Sequence, residues 1–431
     1  MLASVRAVAV AAVLVAAACG SEPVAAPPPT GSPPAPGIHV GSAAAATIAP
    51  KGGLVEGAAL RPHKEEPVVE CPAVIAETAD DDTRLSALLD AGNAQLDAAA
   101  YAAAWTCADR ASDLAPQSVE AHHIRAAALA ALGRENEAQI AYSLALALDP
   151  DDPETLRAVA DFYINSKGEH GRDAVRLGLE LAQRGSRRAA ARRHRAPTLA
   201  ADLALLEAQA LDDLGRSDDA LLRVDAALRL APGRADALHE KGVALFDLSR
   251  FAEAKAVLTK AVALQPDDAF THQMLGLVLE GLGEQPAADA ELARALRLAP
   301  GELTPPVTIS PAEFQREVDG IIASLPAERR TRVLATKIEV ADLPLAADLA
   351  AVTPPFPPTI LGLYRGPVGR GAGAAPEAGD EPTSIVLYRK NLARAVKSRT
   401  ELSEQIRDTL LHEVGHLEGL DEDDLRRRGM E

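Results

Sequence analysis

The sequence predicts a multidomain protein: an all-α solenoid of repeated helical hairpins followed by a small α+β domain. The solenoid is indicated by five Leu-x-Pro motifs whose prolines are separated by 34, 82, 34 and 34 residues. The second domain is indicated by the end of this period after Pro305 and Pro306, where short β-branched segments begin. An aromatic content of only 3%, together with frequent alanine, suits closely packed helices better than a β-sandwich.

The 34-residue period predicts about six repeats across residues 83–302. The interval of 82 residues is explained by one imperfect repeat plus a 14-residue insertion, since 34 + 34 + 14 = 82. Small side chains return to fixed positions, as two antiparallel helices require where they approach closely. One such position holds Gly92, Ala126, Ala208, Gly242 and Gly276, and a second holds Ala104, Ala138, Ala220, Ala254 and Ala288. Because one hairpin cannot bury its apolar face alone, the hairpins are expected to stack.

The net charge of the chain bears on which classes of partner it can bind. The formal net charge of −18 argues against a nucleic-acid binder, which needs a basic face to displace counterions. The insertion is an exception to this acidity. It either contacts anionic lipid or an acidic partner, or it extends a helix into solvent. Its basic residues are Arg187, Arg188, Arg192, Arg193 and Arg195.

The N-terminus predicts export to a bacterial cell envelope. Val8 to Ala18 is an apolar run too short to span a bilayer comfortably, and it ends in small residues directly before Cys19. This pattern resembles the lipobox of a lipoprotein signal peptide, which implies a signal over residues 1–19, cleavage before Cys19 and lipidation of Cys19. An ordinary secretory signal is the alternative. Gly20 then favours the periplasmic face of the outer membrane, and residues 20–82 predict a disordered tether rich in Pro, Ala and Gly.

Two further cysteines, Cys71 and Cys107, lie beyond the predicted signal. An oxidising compartment permits a disulfide between them. The alternative is a pair of inert buried thiols, since sequence alone does not fix the distance between the two side chains.

Residues 303–431 predict the α+β domain. Apolar residues at helical spacing indicate two helices, the first capped by Ser310, and β-branched content indicates three short strands. The helices are predicted at Pro311–Leu325 and Leu402–Leu417, and the strands at Lys337–Val340, Thr359–Leu363 and Ser384–Tyr388.

A metal-binding pattern lies on the second of these helices. His412 and His416 are four residues apart, so their imidazoles project from one helix face and can share a Zn²⁺ ion. Glu413 sits beside the first histidine and can act on a water molecule without ligating the metal itself, as a general base does. The segment therefore predicts a catalytic zinc site with Glu413 as its base.

A third ligand is expected just beyond this helix. Gly419 permits a left-handed turn, so that the chain can fold back under the metal. Glu422 follows three residues later between Asp421 and Asp423. A carboxylate from this group is a suitable third ligand, and it leaves one coordination position open.

Both domains resemble known families. The period and the small-residue positions resemble tetratricopeptide repeats, which implies that a concave face holds a peptide or a protein partner. The segment from Ser310 to Glu431 resembles the minimal zincin family of metallopeptidases, through its opening helix, the segment Ile360–Gly366, the segment Ile385–Arg389 and the HExxHxxGxx(D/E) motif. That resemblance implies His412, His416 and Glu422 as zinc ligands and Glu413 as the base.

The resemblance to zincins also implies that a substrate strand pairs with a sheet edge beside the metal. Ser384–Tyr388 is the candidate edge, and a fully paired strand is the alternative. Tyr388 either helps to hold the oxyanion or has only a packing role. The predicted function is an envelope-anchored zinc metallopeptidase that cleaves a peptide or protein substrate and whose solenoid recruits that substrate or a partner. The alternative is a non-catalytic scaffold lipoprotein with a structural or vestigial zinc site.

Overall fold

The computed structural model describes residues 69–73, 79–165, 171–191, 197–365, 384–418, 420 and 422–427. Several predicted features lie outside these residues: the signal peptide, Cys19, most of the tether, Gly419, Asp421, and the arginines 192, 193 and 195. The side chains of Glu422 and Asp423 lie outside them as well. No helix in the described ranges combines the length and the apolar character needed to cross a membrane.

The first twelve helices of the described chain form the repeat region. Each odd-numbered helix packs as a hairpin against the even-numbered helix that follows it, and consecutive hairpins stack. The predicted all-α solenoid is therefore confirmed. The helices are α1 Asp81–Asp97, α2 Tyr101–Leu114, α3 Val119–Ala131, α4 Glu135–Leu148, α5 Pro153–Asn165, α6 Arg172–Ala191, α7 Pro197–Asp213, α8 Ser217–Leu230, α9 Ala235–Asp247, α10 Phe251–Leu264, α11 Ala269–Gly281 and α12 Gln285–Leu298.

The recurring small residues lie where paired helices touch. A Cβ atom added to Gly242 would lie 2.4 Å from the Leu258 side chain, and one added to Gly276 would lie 2.7 Å from Leu292. Both distances are too short for a real contact, so α9 and α11 approach their partner helices as closely as glycine allows. The five alanines at the second repeat position are buried at the same interfaces.

The insertion lengthens helices rather than adding a separate element. Helix α6 has 20 residues and α7 has 17, whereas α8 has 14. Arg187 and Arg188 are exposed on the last turns of α6, and Arg188 pairs with Asp151 at 2.7 Å. This arrangement favours the interpretation of the insertion as a solvated helix extension.

Cys71 and Cys107 form a disulfide with a Cα–Cα distance of 4.8 Å. The bond ties the segment that precedes α1 to the buried side of α2, because Cys107 is completely buried. Of the two alternatives for these cysteines, the structure therefore has the disulfide.

The C-terminal region is a small α+β domain, as predicted. The first predicted strand extends one residue further, to Ala341, and the second begins three residues later than predicted, at Gly362. The helix predicted from Leu402 begins three residues earlier, at Arg399. The elements are α13 Pro311–Ser324, α14 Ala327–Leu334, β1 Lys337–Ala341, α15 Ala346–Leu349, β2 Gly362–Arg365, β3 Ser384–Tyr388, α16 Arg389–Arg394, α17 Arg399–Leu417 and α18 Glu422–Arg427.

The three strands form one sheet in the order β1-β3-β2. Strand β3 pairs in parallel with β1 and antiparallel with β2, so both of its edges are occupied. The prediction that Ser384–Tyr388 is an edge strand is therefore wrong. Its five residues are all buried, as expected for a central strand, and hydrophobicity alone did not distinguish a central from an edge position.

The two faces of β3 pack against different parts of the molecule. Ile385 and Leu387 join the core formed with α13 and α17. Val386 and Tyr388 join a second cluster on the other face, and Phe251 from the repeat region packs against that cluster. The last repeats thus help to cover the face of the sheet opposite α17.

Candidate metal centre

Helix α17 holds the predicted metal-binding histidines in a fixed position. Ser398 caps its first turn by accepting a hydrogen bond from the backbone N–H of Glu401 at 3.2 Å. A stripe of apolar residues at a spacing of four then packs against α13 and the sheet. This stripe consists of Leu402, Ile406, Leu410 and Val414, and it anchors the helix up to its final turn.

His412 and His416 bring their ring nitrogens together. The two Nε2 atoms are 3.2 Å apart, the ring centroids are 4.8 Å apart, and the ring planes are inclined by 83°. Two nitrogens that bind one tetrahedral zinc ion at about 2.0–2.1 Å lie about 3.3 Å apart. The spacing of these two side chains therefore fits a shared zinc ion.

The other ring nitrogen of His416 is held by the backbone. Nδ1 lies 3.1 Å from the carbonyl oxygen of Leu420, a distance at which an Nδ1–H group donates a hydrogen bond. That tautomer leaves the lone pair of Nε2 directed toward His412 and available to a metal. The backbone carbonyl thus sets both the orientation and the proton position of this histidine.

Glu413 is buried beside the edge strand β2. It is 4% exposed, and a Cβ atom added to Gly362 would lie 3.1 Å from its Oε1 atom. The same Cβ would lie 2.8 Å from Cγ2 of Thr409, one turn earlier on α17. The missing side chain at Gly362 therefore provides the space in which the Glu413 carboxylate sits.

The chain returns toward the histidines after α17. The Leu420 N–H donates to the carbonyl oxygen of Gly415 at 3.0 Å, and α18 then docks on α17 through the completely buried Leu425. A Cβ atom at Gly415 would lie 2.3 Å from Leu425, so this glycine permits the close approach of the two helices. Helix α18 begins at Glu422, three residues before the Leu425 contact.

Assignment of the third ligand remains a prediction. Among the side chains that the structure describes, no three His, Cys, Asp or Glu residues converge to hold a metal ion. The candidate carboxylates Asp421, Glu422 and Asp423 do not belong to that set. The histidine pair, the buried Glu413 and the reversal of the chain are the described parts of the site.

Sequence reasoning missed an ion pair that holds the end of α17, the helix with the two histidines. Glu418 is 12% exposed and lies 3.3 Å from Arg332 and 3.7 Å from Arg329, both on α14. These contacts fix the position where α17 ends and the turn begins. No local pattern indicated this pairing, because 86 residues separate Glu418 from Arg332.

A second group of charged residues lies on the opposite face of the sheet. Arg365 binds both carboxylate oxygens of Asp348, at 2.8 and 2.7 Å, and the Tyr388 hydroxyl donates to the same carboxylate at 3.1 Å. Burial raises the pKa of Tyr388 well above its usual range, with the Asp348 charge adding to the effect. The fully buried Tyr388 has its hydroxyl engaged by Asp348, which favours the packing role.

Solved structures similar to this chain are repeat proteins. PilF of Pseudomonas aeruginosa is 16% identical, with 55% of this chain and 99% of that chain covered and a TM-score of 0.43. PilW, a type IV pilus biogenesis factor, is 17% identical, with 50% and 94% covered and a TM-score of 0.42. YrrB, a tetratricopeptide-repeat protein with a peptide-binding site, is 16% identical, with 45% and 93% covered and a TM-score of 0.33. No curated protein matches the chain.

Family models match both predicted regions. Residues 119–152 and 235–268 match the tetratricopeptide repeat, and each matched segment spans one hairpin of the solenoid. Residues 334–430 match the zincin-like metallopeptidase family, a range that contains the sheet and the histidine helix. The chain therefore carries a tetratricopeptide-repeat solenoid followed by a zincin-like metallopeptidase domain.

Proposed function

We propose that the C-terminal domain hydrolyses peptide bonds at a zinc site formed by His412, His416 and Glu422. The observation that carries this proposal is the 3.2 Å separation of the two Nε2 atoms, with the Glu413 carboxylate on the same helix. Membership of the zincin-like family implies zinc binding, and the donor set of two imidazoles and a carboxylate suits that ion. When bound, zinc supplies Lewis acidity toward water and toward a peptide carbonyl.

Glu413 is the proposed general base. It takes a proton from the attacking water and later delivers a proton to the leaving amine. Its burial against Gly362 excludes bulk water from one side of the carboxylate and limits its freedom to rotate. The histidine tautomer that Leu420 selects keeps the His416 lone pair available for the ion during this cycle.

Strand β2 replaces β3 as the proposed substrate-binding edge. It lies at one side of the sheet, it packs against α17, and its first residue, Gly362, borders Glu413. An extended substrate that pairs with the edge of β2 that no strand of the described residues occupies would pass beside the general base. A peptide or protein segment in extended conformation is therefore the proposed substrate class.

The solenoid is the proposed recruiting region. Tetratricopeptide repeats generally mediate protein–protein interactions, and here they precede the catalytic domain directly. We propose that a protein partner or the substrate binds along the repeats. The protein is also proposed to be anchored by a lipid on Cys19, at the periplasmic face of the outer membrane. The lipobox pattern supports this location, and so does the Cys71–Cys107 disulfide, since such bonds persist in oxidising compartments.

The anchor is tested in a bacterial host by fractionation of the intact chain and of a Cys19→Ser variant. The intact chain is expected in the membrane fraction, and the variant in the soluble periplasmic fraction. Equal distribution of the two proteins between the fractions would contradict the lipid anchor. Access of an external protease after outer-membrane permeabilisation distinguishes the periplasmic from the cytoplasmic side.

The peptidase proposal is tested with the full chain and three variants. Zinc content is measured by mass spectrometry, and cleavage is measured on a mixed library of extended peptides. Glu413→Gln is expected to retain one zinc ion and to lose cleavage, whereas the double change His412→Ala and His416→Ala is expected to lose both. Glu404→Gln changes an exposed carboxylate on the same helix and serves as the matched control.

Two results would overturn the proposal. Cleavage by the Glu413→Gln variant at the original rate would remove Glu413 as the base. Zinc binding without any cleavage by the unchanged chain, combined with partner capture that does not depend on either histidine, would establish the scaffold function instead.

A further inference from the structure

A pocket of about 100 Å³ lies where the last repeats meet the catalytic domain. Its walls are mainly apolar and come from both regions. The repeats contribute Phe246, Phe251 and Leu277, and the catalytic domain contributes Leu343 and Leu349. The volume is smaller than the roughly 150 Å³ cavity that accommodates benzene, and it suits one leucine-sized side chain.

The mouth of this junction pocket reaches the protein surface. Leu282 adjoins the lining residue Gly281 and is 36% exposed, and Leu345 adjoins the lining residue Pro344 and is 62% exposed. The site lies on the side of the sheet that carries Val386 and Tyr388, opposite the α17 side.

One wall of the pocket carries an imbalance of charge. Glu280 is 3% exposed and accepts hydrogen bonds from two cations of α16, Lys390 at 2.8 Å and Arg394. One carboxylate therefore faces two positive charges. Arg394, which lines the pocket, is 13% exposed and donates to Glu280 through Nη2. Its remaining N–H groups make no hydrogen bond to another residue in the described part of the chain, and they can receive a second carboxylate.

We propose that the junction pocket binds the C-terminal residue of a peptide. The leucine-sized side chain of that residue fills the apolar cavity, and its free α-carboxylate binds Arg394 and balances the second cation. An uncharged hydroxyl group for the adjoining peptide bond is present in the lining at Thr359. A long aliphatic acid fits less well, because the cavity holds only a branched four-carbon group. The proposal goes beyond peptidase activity, since it needs neither zinc nor cleavage.

The test uses the full chain carrying Glu413→Gln, so that cleavage does not consume the probe. The probe is a fluorescein-labelled pentapeptide that ends in leucine with a free carboxylate, and its matched partner ends in leucine amide. Fluorescence anisotropy should show that the acid binds about tenfold more tightly than the amide, as expected for a charge-assisted hydrogen bond. Failure of the peptidase proposal would not affect this measurement.

Two variants and one control identify the site. Arg394→Leu should reduce the preference for the acid to about twofold or less, and it leaves Lys390 and Glu280 as a balanced pair. Leu277→Phe should weaken acid and amide alike by filling the cavity, and it covers the case in which Arg394→Leu does not fold. Arg297→Leu removes an exposed arginine of α12 and should change neither affinity.

Other results would overturn the proposal. Equal affinity for acid and amide in the parent chain would remove the carboxylate contact. Unchanged binding in both Arg394→Leu and Leu277→Phe would place the peptide elsewhere. Displacement of the peptide by octanoate at lower concentrations than by the unlabelled pentapeptide would identify an aliphatic acid, and not a peptide, as the occupant.

Discussion

The solenoid and the zincin-like domain are built by contacts of different range. In the solenoid, each helix packs on the helices next to it in the sequence, and one spacing of 34 residues repeats the arrangement. In the zincin-like domain, β1 pairs with β3 across the intervening helix and β2, and Glu418 pairs with Arg332 over 86 residues. A repeated local pattern therefore determines the first region, whereas the second depends on pairings that no local pattern contains.

These two kinds of organisation meet at the junction. Glu280 belongs to the last repeat, and its two cation partners lie on α16, directly after the central strand. Asn391 on the same helix donates to the carbonyl oxygens of Pro358 and Ile360, which lead into β2 and Gly362. The last repeat is thus linked through short contacts to the strand that borders Glu413.

Loss of Glu280 is expected to have the largest effect on stability. Glu280→Ala leaves two largely buried cations without their shared carboxylate, and removal of one partner from a buried ion pair costs about 3–5 kcal/mol. The free energy of unfolding, measured by urea denaturation, checks this. The control Glu253→Ala breaks a pair with Arg250 in which Glu253 is 59% exposed, and it should change stability much less. Equal small changes in both variants would mean that the junction adds no stability.

The solenoid and the zincin-like domain each contain a glycine in close contact with a leucine, so the effects of the same substitution can be compared in the two regions. Gly415→Ala should displace the buried Leu425, and with it the start of α18 at Glu422, so that zinc affinity falls by about 10–100-fold. Gly242→Ala overlaps Leu258 in the solenoid and should cost about 1–3 kcal/mol in stability while leaving zinc affinity unchanged. Zinc affinity is measured by competition with a chelator. An unchanged affinity in Gly415→Ala would show that α18 does not support the site.

A third glycine separates metal binding from catalysis. Gly362→Ala places a methyl group 3.1 Å from Oε1 of Glu413 and should push this carboxylate away from its position. Displacement of a catalytic group by about 1 Å lowers the rate by up to about 100-fold. We therefore expect kcat to fall by about tenfold or more. Zinc content should remain at the level of the unchanged chain. A fall in zinc content with unchanged kcat per bound zinc ion would contradict the proposed role of Gly362.

Much of this organisation could be predicted from sequence, and the reason differs between the regions. The small residues of the repeats marked real close contacts, as Gly242 against Leu258 shows, because helix pairing is local. The histidine pair was also predictable, since a spacing of four fixes two side chains on one helix face. The central position of Ser384–Tyr388 in the sheet could not be predicted from the sequence. A buried hydrophobic strand has the same sequence pattern at the centre and at the edge of a covered sheet.

The repeat turns offer a smaller effect within the solenoid itself. The turn position is Gly with φ of 73°, 77° and 74° at Gly133, Gly215 and Gly283, but Ser249 adopts φ of 58° at the equivalent place. A side chain in this left-handed conformation costs about 1–2 kcal/mol, and the buried Ser249 Oγ has no hydrogen-bond partner in the described chain. Ser249→Gly should therefore raise the free energy of unfolding by about 1 kcal/mol.

The converse change tests this explanation. Gly283→Ala introduces a Cβ atom at φ of 74°, where no neighbouring atom lies within 4 Å, so that backbone strain alone should lower stability by about 1 kcal/mol. Thermal unfolding of both variants is compared with that of the unchanged chain. Stabilisation by both substitutions, or by neither, would remove left-handed strain as the cause.

The smallest expected effect concerns the start of the zincin-like domain, where the first turn of α13 has a reciprocal cap. The side chain of Ser310 accepts a hydrogen bond from the backbone N–H of Glu313, and the carboxylate of Glu313 accepts from the backbone N–H of Ser310 at 2.9 Å. The Ser310 hydrogen bonds lower the pKa of Glu313 from about 4.5 to about 2. Because the folded-state pKa is lowered, the contribution of this carboxylate to stability is present above pH 4.5 and is lost as the pH falls toward 2.

Replacement of Ser310 by Ala should return the pKa of Glu313 toward its ordinary value, because the hydroxyl group that holds the carboxylate is removed. An NMR titration of the Glu313 carboxyl carbon measures this shift in the full chain. Ser324→Ala, which removes a hydroxyl at the other end of the same helix, should leave the titration unchanged. If Ser310→Ala also leaves it unchanged, the hydroxyl group does not cause the low pKa, which must then come from the backbone N–H of residue 310 together with Arg399, which lies 3.5 Å from the other carboxylate oxygen.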